Sequence, residues 1–294
     1  MRPTRTQLLA RLRDLAASPR DQRLLAGIEA ELDETSSAAA WAVAAARALL
    51  EASERHLALD PADTAAARLA IEVTGTCLEG LGDERAEAPE AETLGYLWIN
   101  HADALRLAGP EHDEQAEAAY AKALGLDPAR GWWWFQWGLL HKARGRFAEA
   151  LERTQRARAL LGDLRPVIWN LAICATALGE GARALEAWRR LGLPAEPNAR
   201  SGMPEIAGLP PCRVRVPMQA RPPEARVAGA PGAAGPLFEV LWAQPLSPCH
   251  GVIQSGSWGE GGADWGDLVL WDGAPLPHTD ATMAPCFAML ARLR

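Results

Sequence analysis

The stretch GLLHKARGRFAEAL (Gly138–Leu151) superposes residue by residue on AICATALGEGARAL (Ala172–Leu185). The superposition aligns several identical residues, among them Gly145 with Gly179, Ala150 with Ala184, and Leu151 with Leu185. An earlier stretch, Trp98–Gly109, superposes on Ile168–Gly179 of the last copy, and its spacing implies a two-residue insertion around Pro110–Asp113. A fixed period of about 34 residues, in sequence rich in alanine, leucine, glutamate and arginine, predicts a repeated pair of helices.

The repeat resembles the tetratricopeptide repeat family over about residues 95–198. In that family, small residues stand where the two helices cross and aromatic residues fill the space between neighbouring pairs. The matching residues are Trp98, Ala102, Leu105, Gly109, Ala116, Tyr120, Ala123 and Pro128; then Trp134, Gly138, Gly145, Phe147, Ala150 and Ala157; then Ile168, Ala172, Gly179, Ala184 and Trp188. Thr154 and Gly181 depart from the pattern. The resemblance implies a mainly α protein, an α-solenoid of helical hairpins; the alternative is a generic helical bundle.

The composition changes near residue 199. Residues 200–294 hold 12 of the 26 glycines and 13 of the 22 prolines, which interrupt helices. We therefore predict N-terminal helices over 1–94, the repeats over 95–198, a Pro/Gly-rich linker over 199–236 and a small β domain over 237–294. The predicted helices before the repeat are Thr6–Ala17, Asp21–Asp33, Ser37–Leu57 and Pro61–Gly80. The predicted strands are an edge strand containing Pro217, then Phe238–Ala243 and Asp267–Trp271, followed by a tight turn at Trp271–Ala274.

The resemblance also implies a concave groove, lined by the first helix of each pair. The positions carried over to it are Tyr96, Ile99, Asp103 and Arg106; Trp132, Phe135, Leu139 and Lys142; and Pro166, Trp169, Ile173 and Thr176. Most are apolar or aromatic, which argues against a clamp for a terminal carboxylate. We expect an apolar groove with a polar rim of Asp103, Arg106 and Lys142. Within the run Trp132–Trp134, residues about 100° apart on a helix can face both the groove and the core.

Two occupants of this groove are compatible with the sequence. A Trp-rich surface marks a protein interaction site, so another protein or peptide is one occupant. The chain's own C-terminal part is the other, because such a surface left bare in water favours aggregation.

The bulk composition excludes several classes of function. A net charge of −7 argues against wrapping nucleic acid or binding an anionic membrane surface. The longest apolar run, Ala38–Ala46, is too short to span a bilayer. Five scattered cysteines without a CxxC pair predict neither a disulfide framework nor a zinc ribbon, so we expect a reducing cytoplasm.

One pair of adjacent residues suggests a catalytic or metal-binding site instead. Cys249 and His250 are adjacent, and after a turn at Pro248 they could combine with His278, Asp280 and Cys286 in a metal or nucleophile site. No spacing among them is diagnostic, and no cofactor is predicted.

The sequence therefore predicts a non-catalytic, bacterial-type scaffold or adaptor that binds a partner segment in the groove. The alternatives are a metal-binding or catalytic β domain, and a regulatory protein whose β domain occludes the groove.

Overall fold

A computed structural model describes residues 37–81, 90–218, 237–258, 262–277 and 283–293, together with Gln7, Ala10, Arg11 and Gln22. Eight α-helices lie in these described ranges and pack pairwise, and a five-stranded barrel follows them. The helices are α1 (Ala38–Leu59), α2 (Ala65–Gly80), α3 (Ala91–Ala108), α4 (Asp113–Leu126), α5 (Gly131–Ala143), α6 (Phe147–Leu161), α7 (Arg165–Ala177) and α8 (Gly181–Arg190). The predicted helices Thr6–Ala17 and Asp21–Asp33 lie almost wholly outside the described residues.

The period of the sequence reappears in the backbone. The starts of α5 and α7 are as far apart along the chain as the starts of α6 and α8. Both distances equal the period of the sequence repeat. The turns inside the two pairs match as well: Gly145 and Gly179 have φ of 70° and 71°, a left-handed conformation that glycine adopts without strain. Each glycine N–H donates to a carbonyl of the preceding turn, Lys142 O in one pair and Thr176 O in the other. The repeated sequence therefore encodes a repeated helical hairpin.

Small residues let the paired helices approach closely. A Cβ built on Gly138 would lie 2.9 Å from the Thr154 hydroxyl of α6, so a larger residue would push the two helices apart. Thr154 in turn accepts a hydrogen bond of 2.9 Å from Asn170 Nδ2 on α7. One pair is thereby joined to the next through buried polar groups. The insertion expected around Pro110–Asp113 is a 3₁₀ turn over Pro110–His112.

Helices α1 and α2 lie close to their predicted bounds. Ser37 caps α1 by accepting from Ala40 N, as short hydroxyl side chains do at helix starts. The predicted start at Pro61 is wrong, because α2 begins at Ala65. Asp60 accepts from Ala62 N and so forms a turn between the two helices.

The C-terminal strands form a closed barrel. After the two short strands β1 (Glu196–Pro197) and β2 (Pro204–Glu205) come the barrel strands β3 (Cys212–Met218), β4 (Leu237–Ser247), β5 (His250–Ile253), β6 (Leu268–Pro275) and β7 (Cys286–Arg292). Neighbours pair antiparallel in chain order, and a parallel pairing of β7 with β3 closes the ring. Val214, Leu241, Ile253 and Trp271 belong to its core.

Two local predictions in this region are wrong. Strand β3 is not an edge strand, since it pairs with both β4 and β7. Pro217 is tolerated because the ladder with β7 covers only Arg213–Arg215, so its missing N–H interrupts no bond there. The expected turn at Trp271–Ala274 is instead part of β6, where the register shifts opposite β7.

The chain divides into two compact units, Met1–Gln136 and Trp137–Arg294. The second unit contains the end of α5, helices α6–α8 and the barrel, and one of its hydrophobic clusters contains residues of both helices and strands. None of the helices in the described ranges is long and apolar enough to cross a membrane.

Candidate partner-binding surface

In the first unit, two of the predicted groove residues are buried inside the helical core. Ile99 is 1% exposed and Asp103 is 3% exposed. The Asp103 carboxylate accepts from the Tyr120 hydroxyl at 2.6 Å, from Arg106 Nε at 3.1 Å, and from Gln136 Nε2. A fully satisfied network of this kind fixes helix packing. The predicted polar rim is therefore wrong at Asp103.

The pKa values of Tyr120 and Arg106 also indicate that this network belongs to the buried core. Burial and the adjacent Asp103 carboxylate raise the pKa of Tyr120 well above its ordinary value. Burial disfavours the charge on Arg106, but Asp103, Tyr120 and Glu54 together outweigh this and raise the pKa of the guanidinium. Both groups hold their protons at neutral pH, so the carboxylate is neutralised by fixed donors.

Helix α5 presents its first aromatic residues to different environments. Trp132 is 45% exposed and meets Phe135 edge to face, with ring centroids 5.5 Å apart. Trp133 is buried, and a Cβ on Gly95 would overlap its ring. The half-buried Trp134 donates its indole N–H to Pro128 O at 3.0 Å. Neighbouring residues of this run therefore lie at the surface and in the core.

Tyr96 and Arg130 lie beside the buried Trp133. Tyr96 meets the Trp133 ring edge to face at 5.6 Å, and the Arg130 guanidinium lies 5.8 Å from the Tyr96 ring. Arg130 also forms ion pairs of 2.7 Å with Glu92 and Asp127. These contacts hold the start of α5 against α3. We call Trp132 and Phe135 the Trp132 patch.

In the second unit, the barrel packs against three of the predicted groove residues, namely Lys142 of α5 and Trp169 and Ile173 of α7. Lys142 is 8% exposed, and its ammonium pairs with the Asp272 carboxylate of β6 at 2.9 Å. The predicted polar rim is therefore wrong at Lys142 as well. Leu139, one helical turn earlier, is half-buried.

Trp169 and Ile173 on α7 pack against the same strands. A Cβ on Gly273 would overlap the pyrrole ring of Trp169, so β6 approaches the indole as closely as a glycine allows. Trp169 also meets Trp188 edge to face at 5.0 Å. Ile173 is fully buried in one cluster with Leu270 and Cys249 of the barrel. In this unit strands of the barrel therefore pack on two of the predicted groove residues of α7.

The enzyme-like pair of the sequence lies in that buried region. A turn at Pro248 brings Cys249 and His250 to one hydroxyl: Ser247 Oγ lies 2.5 Å from His250 Nδ1 and 3.6 Å from Cys249 Sγ. Burial raises the pKa of Cys249 to about 12 and lowers the pKa of His250 to about 4. Both side chains are therefore neutral at pH 7, whereas a nucleophilic cysteine needs its thiolate.

The remaining partners proposed for this pair are His278, Asp280 and Cys286. His278 and Asp280 lie outside the described residues, and Cys286 lies on β7 with Arg213 as its register partner on β3. Among the residues described, no three His, Cys, Asp or Glu side chains converge as metal ligands.

A second exposed aromatic surface lies on the barrel. Phe238, Val240 and Trp242 alternate along β4 and are 44%, 44% and 47% exposed. The sequence predicts this strand but not its orientation, because five of the six residues of FEVLWA are apolar. The charged Glu239 lies on the same side of the strand as the buried Leu241 and Ala243, so its position would indicate the wrong orientation. Hydrophobicity alone would have put the larger residues inside.

No family model matches this chain, and no curated protein shows detectable similarity to it.

Proposed function

We propose that this protein is a non-catalytic adaptor, which binds an apolar segment of another protein on the Trp132 patch. The observation that carries the proposal is the exposure of Trp132. Its side chain is 45% exposed, although the next residue of the helix, Trp133, is buried. Exposed tryptophan is unfavourable in water and is strongly enriched among residues that dominate binding energy. The resemblance of this region to helical-hairpin repeats supports the same class of function.

The patch is preorganised for binding. Phe135 holds the Trp132 ring edge-on, and Trp133 and Arg130 fix the first turn of α5 beneath it. A partner would therefore not need to order this helix, which removes part of the entropic cost of association. Aromatic side chains also lose few rotamers on contact. An apolar side chain packed across the exposed edges of Trp132 and Phe135 is the contact that this geometry favours.

A second candidate is a regulatory protein in which the barrel shields α7 until a partner displaces it. The contacts of Lys142 with Asp272 and of Trp169 with Gly273 favour it. Its energetics are demanding, since exposing Ile173 and Leu270 alone would cost ~3–6 kcal/mol. A partner needs ~5.5 kcal/mol of differential affinity to invert a two-state equilibrium. We therefore favour a barrel that stays in contact with α7.

Affinity capture with matched variants tests the adaptor. Trp132→Ala should reduce partner recovery by about tenfold or more, the effect of losing one binding anchor. Leu126→Ala is the control, because Leu126 is 42% exposed in the same unit but lies outside the patch. Equal recovery by wild type, Trp132→Ala and Leu126→Ala would refute the role of the patch. Unchanged circular dichroism and thermal unfolding would show that the variants are folded.

Dye binding separates the second candidate from the first. If the barrel opens readily, Asp272→Ala should raise the fluorescence of an apolar dye below the unfolding transition. A barrel held permanently against α7 predicts a lower unfolding temperature with no dye binding by the native state. The cytoplasmic location expected from the sequence is compatible with the five free cysteines.

A further inference from the structure

The outer surface of β3 and β4 combines arginine with exposed aromatic side chains. Residues directly opposite each other in an antiparallel pair lie on the same side of the sheet. The register places Arg213 opposite Trp242, and Arg215 opposite Val240. Phe238 completes the row on β4, and the Arg215 guanidinium lies 5.1 Å from its ring. We call Arg213, Arg215, Phe238, Val240 and Trp242 the β3–β4 face.

The charged side chains of this face are both positive. Glu239 is the one acidic residue in β3 and β4, and it lies on the opposite side of β4 with the buried Leu241 and Ala243. The guanidinium of Arg213 is fixed, because its Nε and Nη2 donate to Ala284 O at 2.9 and 2.7 Å. The described outward positions of the two strands therefore present two cations and no carboxylate.

The negative charge of the chain belongs to the other unit. Residues 137–294 contain 17 lysines and arginines against 14 aspartates and glutamates, a net charge of +3. Residues 1–136 contain 13 against 23, a net charge of −10. The overall charge of −7 argues against nucleic acid for the chain as a whole, but it does not describe the unit that contains the barrel. At ~0.1 M salt, charges more than about 10 Å away are largely screened, so a ligand on the β3–β4 face responds mainly to its two arginines.

Unpaired bases joined by phosphates are the ligand chemistry that matches this face. Every base has a planar face that can stack on an aromatic ring, and arginine pairs with phosphate. Trp242 and Phe238 are 47% and 44% exposed, and four residues of strand separate them by about 13 Å. Their rings can therefore contact different nucleotides of one extended strand. An acidic peptide would match the arginines equally well, but it would leave the rings without a planar partner.

We propose that the β3–β4 face binds single-stranded nucleic acid. Bases stack on Trp242 and Phe238, and phosphates pair with Arg213 and Arg215. Because only two arginines contribute, the site is weak and tolerant of sequence, with an expected Kd of about 10–100 µM at ~0.1 M salt. This proposal concerns a different surface from the Trp132 patch and does not depend on the adaptor function.

Fluorescence anisotropy of labelled oligo(dT) and oligo(U), each about 12 nucleotides long, tests the site when the full chain is titrated into the probe. Trp242→Ala should weaken binding of the probe about fivefold or more, through the loss of one stacked base. Arg215→Gln should lower the slope of log Kd against log salt concentration by about 0.7, the contribution of one phosphate contact on a single strand.

Each variant has a matched control on a helix of the same unit. Leu160→Ala removes an apolar side chain that is 37% exposed on α6, and Arg183→Gln removes a positive charge that is 48% exposed on α8. Both controls should bind the probes as the wild type does. Circular dichroism verifies folding, and Phe238→Leu replaces Trp242→Ala if the latter does not fold.

Four results would overturn the proposal. One is a wild-type chain that binds neither probe at submillimolar concentration and ~0.1 M salt. Another is unchanged affinity in folded Trp242→Ala or Phe238→Leu. The third is an equal loss of binding in Arg183→Gln and Arg215→Gln, which would mean that the charge of the whole unit attracts the probe. The fourth is displacement of the probe by polyglutamate as readily as by unlabelled oligonucleotide, which would mean that the face recognises negative charge rather than bases.

Discussion

The ion pair between Lys142 and Asp272 allows a quantitative test of how the barrel is held against the helices. The two side chains differ in burial: Lys142 is 9% exposed, whereas Asp272 is 34% exposed. Substituting Lys142 and substituting Asp272 should therefore destabilise the protein by different amounts. Asp272→Ala leaves a buried ammonium without its counter-ion, while Lys142→Met leaves a carboxylate that water can still reach.

The expected magnitudes follow from this asymmetry. Breaking a buried ion pair by removing one partner costs ~3–5 kcal/mol, and partial solvation of Asp272 reduces this to roughly 2–3 kcal/mol for Asp272→Ala. Lys142→Met should cost less than ~1 kcal/mol, because the methionine retains the buried aliphatic contacts. The double variant should resemble Lys142→Met, which gives a coupling free energy of roughly 2 kcal/mol.

Urea unfolding of the four proteins measures the cycle. In thermal unfolding, a destabilisation of ~1 kcal/mol lowers the unfolding temperature of a unit of this size by about 2–4 °C. Asp272→Ala should therefore lower the unfolding temperature by roughly 4–12 °C. Two outcomes would refute the reasoning: equal effects of the single variants, or additivity in the double variant. Either would mean that Lys142 and Asp272 do not depend on each other for burial.

Three further predictions concern the same unit. Gly273→Val should destabilise the protein by about 1–3 kcal/mol through overlap with Trp169, as read by chemical denaturation, and a neutral effect would contradict the close approach. Cys249, with a pKa of about 12, should resist thiol reagents at pH 7 in the native protein and react on unfolding; rapid native labelling would be inconsistent with its burial. His250 has a folded pKa of about 4, below its unfolded value of 6.5, so the unfolded state binds the extra proton between these values. Stability should therefore fall as pH drops from 6.5 to 4, by up to ~3 kcal/mol from this residue, and His250→Gln should reduce that loss; an unchanged pH profile would argue against it.

The helical hairpins could be predicted because their signals are local. Gly145 and Gly179 mark the turns, and the period of the sequence repeat gives the spacing of the helices. The start of α2 was misplaced because Asp60 and Pro61 suit either a helix start or the turn that precedes one. Local sequence does not distinguish these two structures.

The barrel was only partly predictable. Strand β7 consists of Cys286–Arg292, CFAMLAR, whose alanine, methionine and leucine favour helix in isolation, and its pairing with β3 depends on residues far away along the chain. Ring closure by that parallel pairing leaves no trace in local composition. The sequence predicts neither β5 nor β7, although it does predict a small β domain in this part of the chain.

The candidate site was likewise predictable only in part. Exposure of one residue in the run Trp132–Trp134 follows from helix geometry and was predicted. The burial of Asp103 depends on Tyr120 and Gln136, which are 17 and 33 residues away and carry no mark of that contact. Lys142 likewise finds its partner 130 residues later, in the barrel. Polar residues at predicted surface positions were therefore the least predictable.

Hydrogen exchange on the full chain, with and without a captured partner, tests partner binding most directly. The adaptor proposal predicts slowed exchange at residues 131–136 and around Tyr96, with little change along α7. Protection confined to α7 or to the barrel, with none at the start of α5, would contradict it.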